Sequence, residues 1–109
     1  GSIYVKGDEA TVRSSSFDNI SSVNNGGAIF VDGEQTEILS SSFYNCTVSN
    51  GNNGGAIYID DKGTAVAYSN FTQSKANEGG AIYISSASGK MFLIFLAPFT
   101  SISKSCIHL

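Results

Sequence analysis

Clustered positive charge is missing from this sequence: its six Lys and Arg residues are scattered, and the net charge is −3. A polyanionic partner would be met by grouped basic side chains, so neither nucleic acid nor anionic lipid is expected to bind. Long apolar runs are missing too. The longest, Met91 to Ala97, falls far short of the roughly 20 residues a membrane helix needs and is followed by Pro98, so no transmembrane segment is expected. After Gly1-Ser2-Ile3 there is no charged region leading into an apolar stretch, so no secretory signal is read. Two cysteines, Cys46 and Cys106, are too few to define a disulfide framework and leave the redox compartment open. One Pro, no Trp and few charges, set beside many Gly, Ser and Asn residues, favour strands joined by tight turns over helices.

What the sequence does have is a repeat. Ile3-Tyr4-Val5, Ile29-Phe30-Val31, Ile57-Tyr58-Ile59 and Ile82-Tyr83-Ile84 follow one another at nearly equal intervals along the chain. Three of the four come after the same tripeptide: Gly26-Gly27-Ala28, Gly54-Gly55-Ala56 and Gly79-Gly80-Ala81. Ile3, Ile29 and Ile57 are each followed at one fixed offset by Val12, Ile38 or Val66, and at a second fixed offset by Phe17, Phe43 or Phe71. The fourth unit offers Met91 and Leu96 at the same offsets. Length varies only after the Phe, in stretches such as Ser49-Asn50-Gly51-Asn52-Asn53, which is how a solenoid with fixed walls and free corners behaves.

The local pattern selects strands. Ile and Val alternate with an aromatic residue in each leading segment, and no apolar i, i+3, i+4 stripe is long enough for a helix. The expected fold is all-β: a right-handed parallel β-helix of about four rungs, a cut from a longer array. Residues 1–109 form one repeat segment, repeat-like over 1–89 and atypical over 90–109. Three strands per rung are expected: the Ile segment, a middle strand ending at the Phe, and a weaker third such as Cys46-Thr47-Val48. The core columns are Ile3, Ile29, Ile57 and Ile82; Val12, Ile38 and Val66; and Phe17, Phe43 and Phe71. The structural turn residues are Gly26, Gly27, Gly54, Gly55, Gly79 and Gly80, where φ must be positive or backbones approach closely. Asn25, Asn53 and Asn77 lie just before these pairs, where stacked amides can bond along the axis.

Gly-Gly-Ala-Ile ahead of an aliphatic-aromatic strand, with a Phe-containing motif in every unit, resembles the repeats of chlamydial polymorphic outer membrane proteins and related β-helix surface proteins. The resemblance covers the chain to about Ile84. The family's second motif is Phe, two spacer residues, then Asn; here the amide comes one residue earlier, as in Phe17-Asp18-Asn19, Phe43-Tyr44-Asn45 and Phe71-Thr72-Gln73. The resemblance implies an autotransporter-passenger-like module at the cell surface or outside the cell, with host-cell surface proteins or glycans as partners.

The candidate contact face is the outward aromatic column Tyr4, Phe30, Tyr58 and Tyr83. Such rings can stack on sugars or meet a partner, but the preferred reading is that they merely stack on each other between rungs. Asp32, Glu34, Asp60 and Asp61 follow the first strand, where carboxylates can share a hard cation, but solvated turn charges are the preferred reading, and neither metal nor cofactor is expected. Catalysis is not favoured. Acid and base groups must converge on one bond, whereas Asp60 and Asp61 are adjacent and point apart, Arg13 is the only arginine, and the only histidine is His108. The alternative function is a fragment of a β-helix carbohydrate-active enzyme whose active site lies outside this chain. Asn19-Ile20-Ser21, Asn45-Cys46-Thr47 and Asn70-Phe71-Thr72 match the N-glycosylation pattern, at a frequency expected by chance in a chain this rich in Asn, Ser and Thr. Cys46 reads as a small core residue.

Overall fold

The computed structural model describes residues 2–60 and 65–85, together with the strand backbones Phe92–Ile94 and Ile107–His108. The first rung contains β1 (Ile3–Val5), β2 (Thr11–Arg13), β3 (Ser16–Asp18) and β4 (Ser21–Ser22). The second repeats it with β5 (Ile29–Val31), β6 (Glu37–Leu39), β7 (Ser42–Tyr44) and β8 (Thr47–Val48). The third holds β9 (Ile57–Ile59), β10 (Ala65–Ala67) and β11 (Asn70–Thr72), and β12 (Ile82–Ile84) opens the next. The backbone of β13 is Phe92–Ile94 and that of β14 is Ile107–His108.

Like strands stack in parallel. The walls are β1-β5-β9-β12-β14, β2-β6-β10-β13, β3-β7-β11 and β4-β8. Registers follow the repeat: Ile3 pairs with Ile29, Ile29 with Ile57 and Ile57 with Ile82. Val12 pairs with Ile38 and Ile38 with Val66, while Phe17 pairs with Phe43 and Phe43 with Phe71. The fold is therefore a β-solenoid of about three turns, with no helix among the described residues.

Inward residues alternate with outward ones, as a pleated strand requires. Ile29, Val31, Ile38, Ile57, Ile59, Val66 and Ile82 are buried with Phe43 and Phe71, and Ile3 at the end of the stack is partly covered. The inner rings lie face to face: Phe17 on Phe43 and Phe43 on Phe71, each at 4.8 Å between centroids and within 3° of parallel. A rung repeat of about 4.8 Å between strands sets this stacking distance.

Two expectations are corrected. The middle strand is not one strand but two, because the chain turns a corner between β2 and β3. The corner residue is left-handed on every described rung: Ser14, Ser40 and Tyr68 have φ of 51°, 51° and 54°. A second correction concerns Met91 as the partner of Val66. It is Leu93 that pairs with Val66, so the fourth unit is longer by two residues before this wall. Met91 itself, like Leu96 and Cys106, lies outside the described residues.

The corners explain the small and amide residues. Between the second and third walls stands the left-handed series just given; between the third and fourth stand Asn19, Asn45 and Gln73, with φ of 55°, 54° and 57°. Asn tolerates this region best among residues with a Cβ, which accounts for Asn19 and Asn45; Gln73 takes up the same conformation on the third rung without that preference. Before each leading Ile, Gly26, Gly54 and Gly79 are also left-handed. Their neighbours Gly27 and Gly55 meet a different demand: a Cβ on Gly27 would collide with the carbonyl of Gly55, and one on Gly55 with that of Gly80.

Candidate functional site

The outer wall of the first sheet carries the aromatic column. Each ring after the first rung follows a buried Ile and precedes a buried Val or Ile, so the strand's alternation turns it outward. Tyr4 on Phe30, Phe30 on Tyr58 and Tyr58 on Tyr83 stack at 5.0, 4.9 and 5.1 Å, with planes 10°, 12° and 14° apart. Phe30, Tyr58 and Tyr83 are half-buried, whereas Tyr4, with a neighbour on one side only, is 61% exposed. The faces of the inner members are occupied by their neighbours. What the wall offers outward is a row of ring edges and phenol oxygens, which limits its use as a stacking platform for sugar rings. The Tyr83 phenol is pushed above its ordinary pKa by desolvation first, then by the nearby Glu78 carboxylate and Tyr58.

Beside this column, Asp32 and Asp60 hold the same position on successive rungs, each donating its backbone N–H to the rung before: Asp32 to Val5 and Asp60 to Val31. Their carboxylates are engaged separately. Tyr4 Oη donates to Asp32 Oδ2 at 3.4 Å, and Ser85 Oγ donates to Asp60 Oδ1 at 2.8 Å. Glu34 sits at the following corner, where its backbone N–H donates to Asp8 Oδ1 at 3.0 Å. Asp61 lies outside the described residues. Among the described residues no three Asp, Glu, His or Cys side chains lie close enough to hold a metal ion. Arg13 is exposed on β2, on a different wall from the aspartates, and His108 is described only as backbone paired with Tyr83.

The Asn residues before the glycine pairs bond along the axis. Asn53 N–H donates to Asn25 Oδ1 at 2.8 Å, and Asn53 Oδ1 accepts from Glu78 N–H at 3.1 Å and from Asn77 Nδ2 at 3.4 Å. A second amide contact joins Asn45 Nδ2 to Asn19 Oδ1 at 3.0 Å. The three sequon asparagines, Asn19, Asn45 and Asn70, are all exposed.

Sequence reasoning missed a serine ladder. Ser15, Ser41 and Ser69 stand at one fixed offset from Ile3, Ile29 and Ile57, at the corner between the second and third walls. Ser41 Oγ accepts from Ser15 N–H at 3.2 Å and donates to Leu39 C=O at 2.9 Å. Ser69 Oγ does the same for Ser41 N–H and Ala67 C=O, at 3.2 and 3.0 Å. Ser41 and Ser69 are buried, and each hydroxyl supplies an acceptor to a backbone N–H of the rung before while donating to a carbonyl that also accepts a backbone N–H, from Ser14 at Leu39 and from Ser40 at Ala67. Their constant offset was the available signal, hidden because neighbouring Ser residues made the columns look interchangeable. Outside this ladder, Ser14, Ser16, Ser40, Ser42, Tyr68 and Asn70 flank a shallow polar groove of about 390 Å³.

Cys46 is buried, with Sγ 3.6 Å from the carbonyl oxygen of Phe17. Burial pushes its thiol up from 9.0 to about 11, so it is a packing residue rather than a nucleophile.

Comparison with known proteins adds one finding. Residues 14–32 match the family model of the Chlamydia polymorphic membrane protein repeat. This span runs from the left-handed corner at Ser14 through Phe17 and the Gly26-Gly27 corner to just past the end of β5. No curated protein and no solved structure matches the chain.

Proposed function

We propose that this chain is a non-catalytic structural module of a surface protein, in which the β-solenoid is a rigid wall and the outer aromatic column is its contact face. The observation that carries the reading is that the matched repeat, which runs from the corner before β3 of the first rung through β5 of the second, lies on columns that recur in register along the stack. The repeat is thus a building unit, which supports further rungs of the same parent protein as neighbours and an outer-membrane or cell-surface location. Partners of the adhesive role are host-cell surface proteins or glycans. They would meet ring edges and the phenols of Tyr58 and Tyr83, because the ring faces cover one another. The non-catalytic reading draws on the separate engagement of Asp32 and Asp60 and on the placement of Arg13 on another wall.

Binding of the labelled chain to host cells and to a glycan array tests this. Wild-type protein is expected to bind, F30S/Y58S/Y83S to lose binding while keeping a β-rich circular dichroism spectrum, and Y58F/Y83F to bind more weakly with unchanged stability. Absence of wild-type binding overturns the adhesive role. Full binding by a folded triple variant overturns the choice of face.

A further inference from the structure

Asn followed by Gly is the dipeptide most prone to intramolecular attack on the Asn side-chain amide, because Gly offers no side chain to hinder its backbone nitrogen. Three such pairs occur here: Asn25-Gly26, Asn50-Gly51 and Asn53-Gly54. The fold treats them very differently.

At Asn25-Gly26, the attacking nitrogen is tied up: Gly26 N–H donates to Asn53 C=O at 3.1 Å, and Asn25 Oδ1 accepts from Asn53 N–H at 2.8 Å. At Asn53-Gly54, Gly54 N–H donates to Glu78 C=O at 3.0 Å, and Asn53 Oδ1 accepts from Glu78 N–H and Asn77 Nδ2. Both glycines are buried. Reaction at either pair requires the rungs to separate first.

Asn50-Gly51 stands outside this network. It forms the tip of a tight turn closed by Asn52 N–H donating to Ser49 C=O at 3.2 Å, with φ of 59° at Asn50 and 76° at Gly51. Positive φ at both central residues is the type I′ geometry that selects Asn-Gly. Asn52 anchors the turn through its side-chain amide, which donates to Val23 C=O and Ser49 C=O. Asn50 and Gly51 are both exposed, open space surrounds the Gly51 Cα, and the Gly51 N–H has no acceptor among the described residues. The same pair lies in the stretch that makes this rung longer than its neighbours, so nothing in the stacked walls depends on it.

We propose that Asn50 is the selective site of spontaneous deamidation in this protein. The Gly51 backbone nitrogen loses its proton to solvent base and bonds to Asn50 Cγ. The C–N bond to the side-chain nitrogen breaks, and that nitrogen takes up a proton and leaves as ammonia, giving a cyclic succinimide. Water then adds to one of the two ring carbonyls and opens the ring to aspartate or isoaspartate. No redox change occurs; one water is consumed and one ammonia released. The product carries a new carboxylate beside the chain that leads into Gly54, Ile57 and Tyr58. When the isoaspartyl form results, it also carries one extra methylene in the backbone.

The test is incubation of the folded chain at pH 8 and 37 °C, followed by peptide mapping with fragmentation that separates aspartate from isoaspartate. A parallel sample is held in denaturant. In the folded protein Asn50 is expected to react at least about tenfold faster than Asn25 or Asn53, since those must open first. In denaturant the three rates are expected to converge. Equal rates in the folded protein, with circular dichroism showing the fold intact, overturn the proposal, as does reaction at Asn25 or Asn53 ahead of Asn50. An N50Q variant is expected to remove the fast phase and leave the slow ones unchanged; a fast phase that persists in it also overturns the assignment.

Discussion

Two aromatic columns run along the stack, and they differ far less in their own geometry than in what surrounds them. The inner one, Phe17, Phe43 and Phe71, stacks at 4.8 Å within 3° of parallel; the outer one, Tyr4, Phe30, Tyr58 and Tyr83, stacks at 4.9 to 5.1 Å with planes 10° to 14° apart. Parallel in-register strands impose this spacing on whatever side chain recurs at one offset. Recurrence and stacking are therefore properties of the solenoid, and do not by themselves mark a binding face. What separates the columns is burial: Phe43 is enclosed on every side, whereas Tyr58 has neighbours above and below and solvent at its edge.

Graded effects are expected from this difference. The largest belongs to Phe43→Ala, which removes a buried ring between two others and should cost about 3 to 5 kcal/mol in denaturant unfolding, with loss of a sharp transition. Tyr58→Ala gives up two stacking contacts of about 0.5 to 1.5 kcal/mol each, along with partial burial, and should leave a folded protein. If Tyr58→Ala proves as damaging as Phe43→Ala, the outer wall is as much core as the inner one, and its claim to be a free surface fails. The smallest effect belongs to Cys46, packed beside the inner column. Its folded thiol releases a proton only near 11 and its unfolded thiol near 9.0, so its contribution to stability is complete below about 9 and is lost as pH rises toward 11. Cys46→Ala should flatten that part of the pH profile, and native Cys46 should resist alkylation at pH 8 until the chain is unfolded.

The walls were legible in the sequence because burial acts on them with a fixed period. Ile at one offset and Phe at another must return to the same place on each rung, and the unchanging separation of Ile3 from Phe17, Ile29 from Phe43 and Ile57 from Phe71 reports this directly. The corners were only half legible. Glycine declared itself at Gly26, Gly54 and Gly79, and the amides Asn19 and Asn45 were visible as a motif, but nothing in a Ser or Tyr side chain announces the left-handed backbone at Ser14, Ser40 and Tyr68. One middle strand was therefore expected where the chain forms two. The serine ladder went unread for a related reason: Ser41 and Ser69 are inward, yet polar, and an apolar pattern cannot pick them out from outward Ser16 and Ser42. The stacking of the outer rings on one another was legible, since an aromatic that recurs at one offset from the leading Ile must meet its counterpart on the next rung.

Everything described for both columns rests on that register, and nuclear Overhauser contacts among the inner rings test it most directly. With selectively labelled Phe, ring-to-ring contacts are expected between Phe17 and Phe43 and between Phe43 and Phe71, and none between Phe17 and Phe71, two rungs apart. Direct contact between Phe17 and Phe71, or no contact of either with Phe43, would contradict the parallel, in-register stack.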